Sequence, residues 1–560
     1  MLRRALRESL VWMTQHESES QVKRPDRRWA GLAVLAAGLA LIVMDGTIVS
    51  VAQPVIIDDL DLTLTDAQWI NSLYSVVFAA LLLGMGRLGD RLGRRHLFVV
   101  GIAVFVLGSL MAAASEAAVP LIWARVVQGV GGALILPSTL STVNAVFRGK
   151  DRAVAFGVWG AVMAGAAAIG PLLGGWLTSS FSWEWIFLVN VPLGAILFVA
   201  AFLVVPNTRG RTGGKGVDVD GLQLSVIGLG ALVFAVIEGS DLGWWNPVQD
   251  FTVFGLTWST DKPISVIPLF LLLGLVSLVL FVVWERHRAR IGRSAMLDLA
   301  LFKIPTFSWG NITAATVAIG EFALIFVLPL FLVNALGLST LGAGLVLAGM
   351  AGGAFISGAA ARHLADRFGP PNVVLIGLGL EIIGVVAAIL ILDADTSALV
   401  LTLLLAVYGL GLGLASAQLT STVLHDVPTD ASGQGSATQS TVRQVGTAIG
   451  IAVSGAVLSI GLAQAPADNL ANVEGLPSES ANQLAEATRS SAGSVISGVR
   501  AQGTEGDLGD LAPQVVDALS NAFASATRWA MLSAVLFLAV GMLGAMRVRR
   551  AAQQKTSNSK

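Results

Sequence analysis

Three ionisable residues within the apolar parts of the chain could exchange a proton or bind a cation. Asp45 lies in "IVMDGTIVSVAQP", Arg125 lies in "WARVVQGVGGA", and Glu321 lies in "TVAIGEFALIFVLP". An ionised side chain at the centre of a lipid bilayer costs about 2.5 to 3.5 kcal/mol even on lenient scales. Ionisable residues at such depths therefore indicate functional sites, and cation or proton chemistry is what these three types can supply.

Asp45 and Arg125 are predicted to lie at similar depths in the membrane. Asp45 is about eight residues, or about 12 Å, from the outer end of its apolar segment, and Arg125 is about six residues, or about 9 Å, from the outer start of its own. An arginine favours the carboxylate form, whereas burial favours the neutral acid. A change in hydration could then load and release a proton at Asp45, with Gln128 able to bridge the pair. The alternative is a static structural ion pair.

The elements that position these residues are predicted to be membrane-spanning helices. Hydrophobic residues make up 54% of the 560 residues and charged residues only 13%, where soluble domains have about 25%. Apolar segments of about 20 residues, long enough to cross a bilayer, recur along the chain. Fourteen spans are predicted, near residues 30–53, 67–86, 96–115, 119–146, 153–178, 184–205, 219–239, 264–284, 305–333, 340–361, 371–392, 396–424, 434–464 and 527–546.

The loops between the spans predict the orientation. Lysine and arginine are concentrated after the second, fourth, sixth, eighth, tenth and fourteenth spans, whereas the alternate loops carry mainly aspartate and glutamate. Because basic loops stay on the cytoplasmic side, both termini are predicted to be cytoplasmic. Residues 1–28 contain seven basic residues and no apolar core, which does not fit a signal peptide.

One basic loop recurs in the chain. The stretch "GRLGDRLGRR" at residues 86–95 has a near copy, "DRFGPP", in which Asp366 lies 276 positions after Asp90. Since the copies follow the second and the tenth spans, we predict two similar six-helix bundles with two further helices between them. The predicted boundaries are 1–28 for an N-terminal tail, 29–205 and 305–546 for the bundles, 206–304 for a linker with two helices, 465–526 for an extracellular loop insert and 547–560 for a cytoplasmic tail.

Four motifs, on the first, fourth and fifth spans and in the loop after the second, resemble the major facilitator superfamily, and in particular its fourteen-span drug:proton antiporters, the EmrB/QacA group, and a fifth lies on the thirteenth span. "MDGTIVSVAQP" resembles the first-helix motif, "ARVVQGVGGA" the fourth-helix motif and "GPLLGG" the antiporter motif of the fifth helix. "STVRQVGTAIG", with Arg443, resembles a thirteenth-span motif, and snorkelling of this arginine to the cytoplasmic interface is the alternative to a functional role. The loop signature is matched by Gly86, Asp90, Arg91, Gly93, Arg94 and Arg95.

The resemblance assigns roles to these residues. It implies that Asp90 and its arginines contact the other bundle in the outward-facing state and release it on switching. The second copy, with Asp366 and Arg367, has prolines in place of the arginine pair, which predicts a weaker latch. The fifth-helix residues Gly157, Gly170, Pro171, Gly174 and Gly175 would form a hinge between the bundles, although close helix packing alone would explain the glycines.

The resemblance also places Glu321 in a central substrate cavity. There it could bind a proton, a cationic substrate, or each in turn, and Gln128 and Tyr408 are further candidates for the cavity wall. The alternative for Glu321 is a buried neutral acid bonded to a backbone carbonyl. Glu381 lies in a helix that is peripheral in this fold, which favours a structural role. The sequence leaves open whether Asp45 or Glu321 is the main proton carrier.

Several function classes are disfavoured by residues that the sequence lacks. It has no cysteine, no phosphate-binding GxxxxGK[ST] motif and no dinucleotide motif, so we expect no thiolate metal site, no other metal site and no ATP-driven transport. The expected partners are membrane lipids, protons and small amphipathic molecules, without nucleic acid and without a cofactor beyond the proton gradient. A monomer is compatible with this description.

The predicted function is proton-coupled efflux of small amphipathic, often cationic compounds across the cytoplasmic membrane, contributing to multidrug resistance. Export of a lipid or a cell-envelope precursor is the alternative, for which the segment 465–526 would be a docking element. That segment is predicted to be either a helical cap over the outer mouth or a solvated spacer. A membrane-embedded enzyme or sensor is less favoured, because the spans lack clustered His, Asp, Ser or Cys and no soluble signalling domain is recognisable.

Overall fold

The computed structural model describes residues 25–147, 149–209, 218–253, 255–293, 295–428 and 431–558. The protein is built almost entirely from long helices. They are α1 Pro25–Asp59, α2 Leu64–Leu92, α3 Arg94–Ala113, α4 Ala118–Val146, α5 Gly149–Ser180, α6 (Trp185–Leu188 and Asn190–Val204), α7 Val219–Leu242, α8 Val266–Arg290, α9 Pro305–Leu330, α10 Thr340–Phe368, α11 Pro370–Ile391, α12 Ala398–Leu424, α13 Ser432–Leu470, α14 Ser478–Ser490, α15 Ser494–Gln502 and α16 Ala512–Asn558. A π-helical turn, Phe331–Ala335, ends α9, and a hairpin of β1 Phe251–Val253 and β2 Leu256–Trp258 joins α7 to α8.

Thirteen helices within the described residues are long and apolar enough to cross a membrane. The fifth predicted span falls on α5, several of whose side chains lie outside the described part of the chain, so the count of fourteen stays a prediction. The last span differs most from its prediction, because α16 begins at Ala512 rather than near residue 527. Its first turns are amphipathic and pack on the neighbouring segment instead of lying in lipid.

The helices pack as two groups with a separate pair beside them. Helices α1 to α6 pack mainly on one another, and α9 to α13 pack with α16. Helices α7 and α8 pack together, and α7 contacts both α2 and α13, so the pair covers one seam between the two groups. We call the groups the N-terminal and C-terminal halves.

The two halves are sealed together on one side of the membrane, the side at which α1 ends and α2 begins, which we call the outer side. One hydrophobic core there joins Ile48 of α1 and Leu177 of α5 to Leu328 of α9 and Leu347 of α10. Toward the inner side, α1 and α4 belong to a separate core of the N-terminal half. Near the middle, a Cβ atom on Gly46, Gly165 or Gly352 would have no atom within 4 Å. The two halves are therefore joined by one apolar core on the outer side, and there is open space beside these three glycines.

The segment between α13 and α16 folds as a cap rather than as a solvated spacer. Ile496 of α15 and Phe523 of α16 are fully buried. Arg500 donates to the carbonyl oxygens of Asn334 and Ala335 at 3.0 and 2.6 Å, which satisfies acceptors at the outer end of α9. The loss of hydration in this contact lowers the pKa of Arg500.

Candidate functional site

Asp45 and Arg125 form a fully buried ion pair in the N-terminal half. Arg125 Nη1 lies 2.5 Å from Asp45 Oδ2, and the side chains are 1% and 0% exposed. The other carboxylate oxygen of Asp45, Oδ1, accepts hydrogen bonds from Gln128 Nε2 at 3.1 Å and Asn190 Nδ2 at 3.0 Å. Both carboxylate oxygens are therefore bonded, as a buried charge requires.

The guanidinium of Arg125 is bonded on several sides as well. Its Nη1 donates to Gln128 Oε1 at 2.6 Å, and its Nε donates to the carbonyl oxygen of Ile70 at 3.3 Å. The cation lies 4.2 Å from the ring centroid of Tyr74, a cation–π contact. Ser109 Oγ accepts from both Gln128 and Asn190. The ion pair is thus the centre of a polar network drawn from α1, α2, α3, α4 and α6.

Sequence reasoning missed three members of this network, namely Asn190, Ser109 and Tyr74. Asn190 is the only amide in the apolar run "WIFLVNVPLGAILFVAAFLVV", which was a usable signal. Ser109 gives no such signal, because many serines lie in the apolar runs, whereas Tyr74 is one of only two tyrosines in the chain and could have been noticed. The structure also buries Gln128 completely within this network, so in this conformation Gln128 does not line an open cavity.

Glu321 is paired far more loosely in the C-terminal half. Its Oε2 lies 3.7 Å from Arg443 Nη2, and the two side chains are 12% and 30% exposed. The same oxygen, Oε2, has no hydrogen-bond partner. The side chain of Arg443 thus reaches Glu321 within the span instead of snorkelling to the inner interface. Glu321 combines a slightly exposed side chain with a buried carboxylate oxygen that has no hydrogen-bond partner.

Glu381 and Tyr408 lie deeper in the same half. Both are fully buried, and neither carboxylate oxygen of Glu381 nor the hydroxyl of Tyr408 has a hydrogen-bond partner. Glycines bring α11 and α12 close here, since a Cβ on Gly384 would lie 2.7 Å from the backbone nitrogen of Tyr408. Tyr408 is therefore packed between helices and, contrary to the sequence prediction, does not line an open cavity in this conformation.

The two acids of the first helix in each half occupy equivalent places in the repeat. Asp45 and Glu321 lie 276 positions apart, the same separation as Asp90 and Asp366 in the repeated loop. Sequence reasoning noted the second pair and missed the first. The repeat therefore puts one acid at the same place in each half, with different partners around it.

Asp90, Arg94 and Arg95 of the predicted switch loop contact residues of the N-terminal half. Arg94 donates to Asp90 Oδ1 from Nε and Nη2 at 3.0 and 2.8 Å and to the carbonyl oxygen of Ser141 at 2.6 Å. Gly93, between α2 and α3, has a φ of 106°, a conformation that favours glycine. Gly86 and Arg91 lie in the last turns of α2, and Arg95 lies 6.0 Å from the ring centroid of Phe202.

The second loop copy is more exposed. Gly369 has a φ of 83°, like its counterpart Gly93. Asp366 and Arg367 are exposed, and among the described residues no basic group lies within 4.0 Å of Asp366. Arg367 instead lies 5.4 Å from the ring centroid of Phe368.

Four of the predicted hinge residues lie where α5 passes close to another helix, two of them against α1 of the same half and two against α10 of the other half. A Cβ on Gly170 would clash with Thr47 of α1, and one on Gly174 would lie 2.8 Å from the carbonyl oxygen of Ile48. A Cβ on Gly175 would lie 2.7 Å from the carbonyl oxygen of Thr340, and the carbonyl oxygen of Pro171 is similarly close to Gly344. The surroundings of Gly157 lie outside the described residues. Close approach of α5 to α1 and α10 thus requires these glycines.

Comparison with known proteins gives the following relatives. The sequence model of the Major Facilitator Superfamily matches residues 35–451. The multidrug efflux pump LfrA of Mycolicibacterium smegmatis is 32% identical over 79% of this chain and 82% of its own length. The methylenomycin A resistance protein of Bacillus subtilis is 29% identical over 77% of this chain and 87% of its own. The tetracenomycin C resistance and export protein of Streptomyces glaucescens is 27% identical over 77% and 76%.

A solved structure has the same fold. A bacterial homologue of the human lysosomal transporter Spinster, in an inward-facing and unoccupied conformation, aligns over 94% of this chain and 99% of its own. The TM-score is 0.58 and the sequence identity is 18%. This likeness shows the architecture alone.

Proposed function

The chain belongs to the Major Facilitator Superfamily, and on that premise we propose that it exports small amphipathic, often cationic compounds from the cell in exchange for protons. The family and the membrane helices make it a multi-pass membrane transporter rather than an enzyme. Family members use ion gradients and generally need no cofactor. Three relatives that are resistance or efflux proteins support drug efflux as the function.

The observation that carries the proton step is the loose pairing of Glu321. A carboxylate that is partly accessible and has an unbonded oxygen can accept a proton or contact a cationic ligand without losing a strong bond. Proton and cationic substrate would then compete for one carboxylate, which is the simplest basis for antiport. Asp45 is less suited to exchange, because protonating it would leave Arg125 buried without its counter-charge.

Protonation of Glu321 would change the contact between two helices. The ionised carboxylate attracts Arg443 of α13 at 3.7 Å, and the neutral acid does not. Helix α13 also packs against α2 of the other half. Loss of the attraction would therefore loosen a helix that touches both halves, and a rocking movement between the halves would follow.

The switch loop and the hinge fit this cycle as further parts of the proposal. In the closed-outside state the hydrogen bonds from Arg94 to Asp90 and Ser141 stay within the N-terminal half, and Asp90 and Arg94 would exchange them for contacts with the other half when the inner side closes. Helix α5 would act as the hinge through Gly170, Gly174 and Gly175. The central space next to Gly46, Gly165 and Gly352 would receive the substrate.

The test is uptake of the fluorescent cation ethidium into proteoliposomes under an imposed pH gradient. We expect gradient-driven uptake by the unmodified protein and its loss in Glu321→Gln, by at least about tenfold, the effect of roughly 1.4 kcal/mol of lost interaction. Glu505→Gln is the matched control, because Glu505 is exposed and outside the spans. Asp45→Asn should also reduce uptake, accompanied by lower protein stability.

Two outcomes would contradict the proposal. Undiminished gradient-driven uptake in Glu321→Gln would exclude this residue as the proton carrier and leave Asp45 as the candidate. Failure of the folded, inserted protein to move any of several cations would instead favour a lipid or cell-envelope precursor as the substrate.

A further inference from the structure

A cavity lies between α2, α7 and α8, and none of the buried acids of the two halves lines it. Its volume is about 330 Å³, and its walls are almost wholly apolar. We call it the lateral groove and define it by its lining residues, which are Trp69, Leu73, Val76, Val226, Ile227, Gly230, Ala231, Val233, Phe234, Phe270 and Leu273. It opens on the surface of the helix bundle, where its lining residues Val226, Ile227 and Leu273 are exposed.

Aromatic rings form the outer part of the lateral groove. The ring centroids of Phe234 and Phe270 are 4.3 Å apart, and those of Trp69 and Phe234 are 5.9 Å apart. A Cβ on Gly230 would have no atom within 4 Å, so the space beside it is open. Aromatic faces carry a negative partial charge that attracts cations. The walls therefore suit an apolar body that bears a positive charge.

An acid without a cationic partner lies at the outer end of the groove. Trp69 Nε1 donates to Glu238 Oε1 at 2.7 Å, and Glu238 is one helical turn beyond Phe234. Among the described residues, no basic group lies within 4.0 Å of Glu238. The nearby Asp241, in contrast, has a cationic partner. It accepts hydrogen bonds from Thr65 at 2.6 Å and from Arg489 at 3.0 Å. The rim of the groove thus carries one acid that has no basic group within 4.0 Å among the described residues.

We propose that the lateral groove is a second binding site for amphipathic cations, with the apolar body against the rings and the positive group against Glu238. Few polar groups at the edge of an apolar concavity of this size are typical of ligand sites. The inference rests on the proposed export of such compounds and adds a site outside the central space. The sequence alone favoured an interfacial anchor for Glu238.

The position of the groove gives the site a role in transport. Val233 and Ile237 of α7 pack against Val76 of α2 and against Ala448 and Ala452 of α13. Helix α7 therefore separates the groove from the seam at which the two halves meet. A cation dissolved in the membrane would be held beside that seam.

Photolabelling with an aryl-azide derivative of tetraphenylphosphonium tests the site in nanodiscs of phosphatidylcholine. In the unmodified protein we expect labelled peptides from 226–234 and 270–273, competed by unlabelled tetraphenylphosphonium. Glu238→Gln keeps an acceptor for Trp69 but loses the charge, and should lower labelling about tenfold, as loss of one charge contact in a partly desolvated site predicts. Gly230→Leu should fill the open space and lower labelling similarly.

Matched controls change charge or bulk elsewhere on the same helices. Asp220→Asn removes an exposed acid at the opposite end of α7, and Leu272→Phe adds bulk to an exposed position of α8 outside the groove. Both should label like the unmodified protein. Labelling confined to peptides of the central space would overturn the proposal. So would groove labelling that Glu238→Gln leaves unchanged, which would indicate a site for lipid chains.

Transport of tetraphenylphosphonium by the same variants separates this inference from the proposed function. Export without groove labelling would leave the function standing and remove the lateral site. Groove labelling without export of any cation would leave the lateral site standing and contradict the proposed export function.

Discussion

The buried acids of the two halves occupy equivalent positions in the repeat. They differ in how many of their carboxylate oxygens have hydrogen-bond partners. Asp45 has bonds to Arg125, Gln128 and Asn190, and both its oxygens are satisfied. Glu321 has one long contact to Arg443 and an oxygen without a partner. The comparison shows that an acid at the same place in the repeat can be fixed by a hydrogen-bond network in one half and keep an unbonded oxygen in the other.

The largest expected difference between the halves concerns their arginines. Arg125→Leu leaves Asp45 buried without its counter-charge, which should lower the free energy of unfolding by about 3–5 kcal/mol. Arg443→Leu removes a partly exposed, long contact and should cost no more than about 1 kcal/mol. Thermal unfolding of the purified variants in detergent measures both. Equal destabilisation would mean that the two pairs are equally structural.

The second-largest difference in stability is expected between substitutions of the two acids. Asp45→Asn removes the charge facing Arg125 but keeps an oxygen acceptor, so we expect a loss of about 2–3 kcal/mol. Glu321→Gln should stay within about 0.5 kcal/mol of the unmodified protein, because little is bonded to that carboxylate. The same unfolding assay applies, and a double variant of Asp45→Asn with Arg125→Leu should recover part of the loss. A Glu321→Gln protein as unstable as Asp45→Asn would contradict the contrast.

A smaller effect is expected at the edge of the N-terminal network. Asn190→Ala removes one of the two bonds to Asp45 Oδ1 and leaves the bond from Gln128, which should cost about 1 kcal/mol. Ser497→Ala, in the outer cap, is a control for loss of a weak 3.5 Å contact and should change little. If the Asn190 variant were unaffected, the network would tolerate gaps and would resemble the C-terminal half more than its geometry indicates.

The smallest effect is expected at Glu381. Since neither carboxylate oxygen is bonded, Glu381→Gln exchanges one unbonded polar group for another and should stay within about 0.5 kcal/mol of the unmodified protein. Ethidium transport should also be kept, which would separate Glu381 from Glu321. Loss of gradient-driven uptake without loss of stability would instead make Glu381 a second exchangeable acid.

Several features of the protein could be predicted from the sequence because they are local. Twenty-residue apolar runs give the spans, and the repeated "DRLG" and "DRFG" loops give the relation between the halves. Asp45 and Arg125 could be paired because their depths follow from counting residues along two helices. The ends of the helices were less predictable, as α16 shows, because an amphipathic extension outside the membrane resembles a loop in composition.

By itself, the sequence determined the family, the helical architecture and which ionisable groups lie in the membrane, since lipid tolerates few alternatives. The tertiary structure decided which of those groups are satisfied. The bonds from Asn190 and Gln128 to Asp45, the approach of Arg443 to Glu321 and the isolation of Glu381 depend on which helix faces meet. Those faces are set by close packing between helices more than a hundred residues apart in several cases, and no local pattern records the choice.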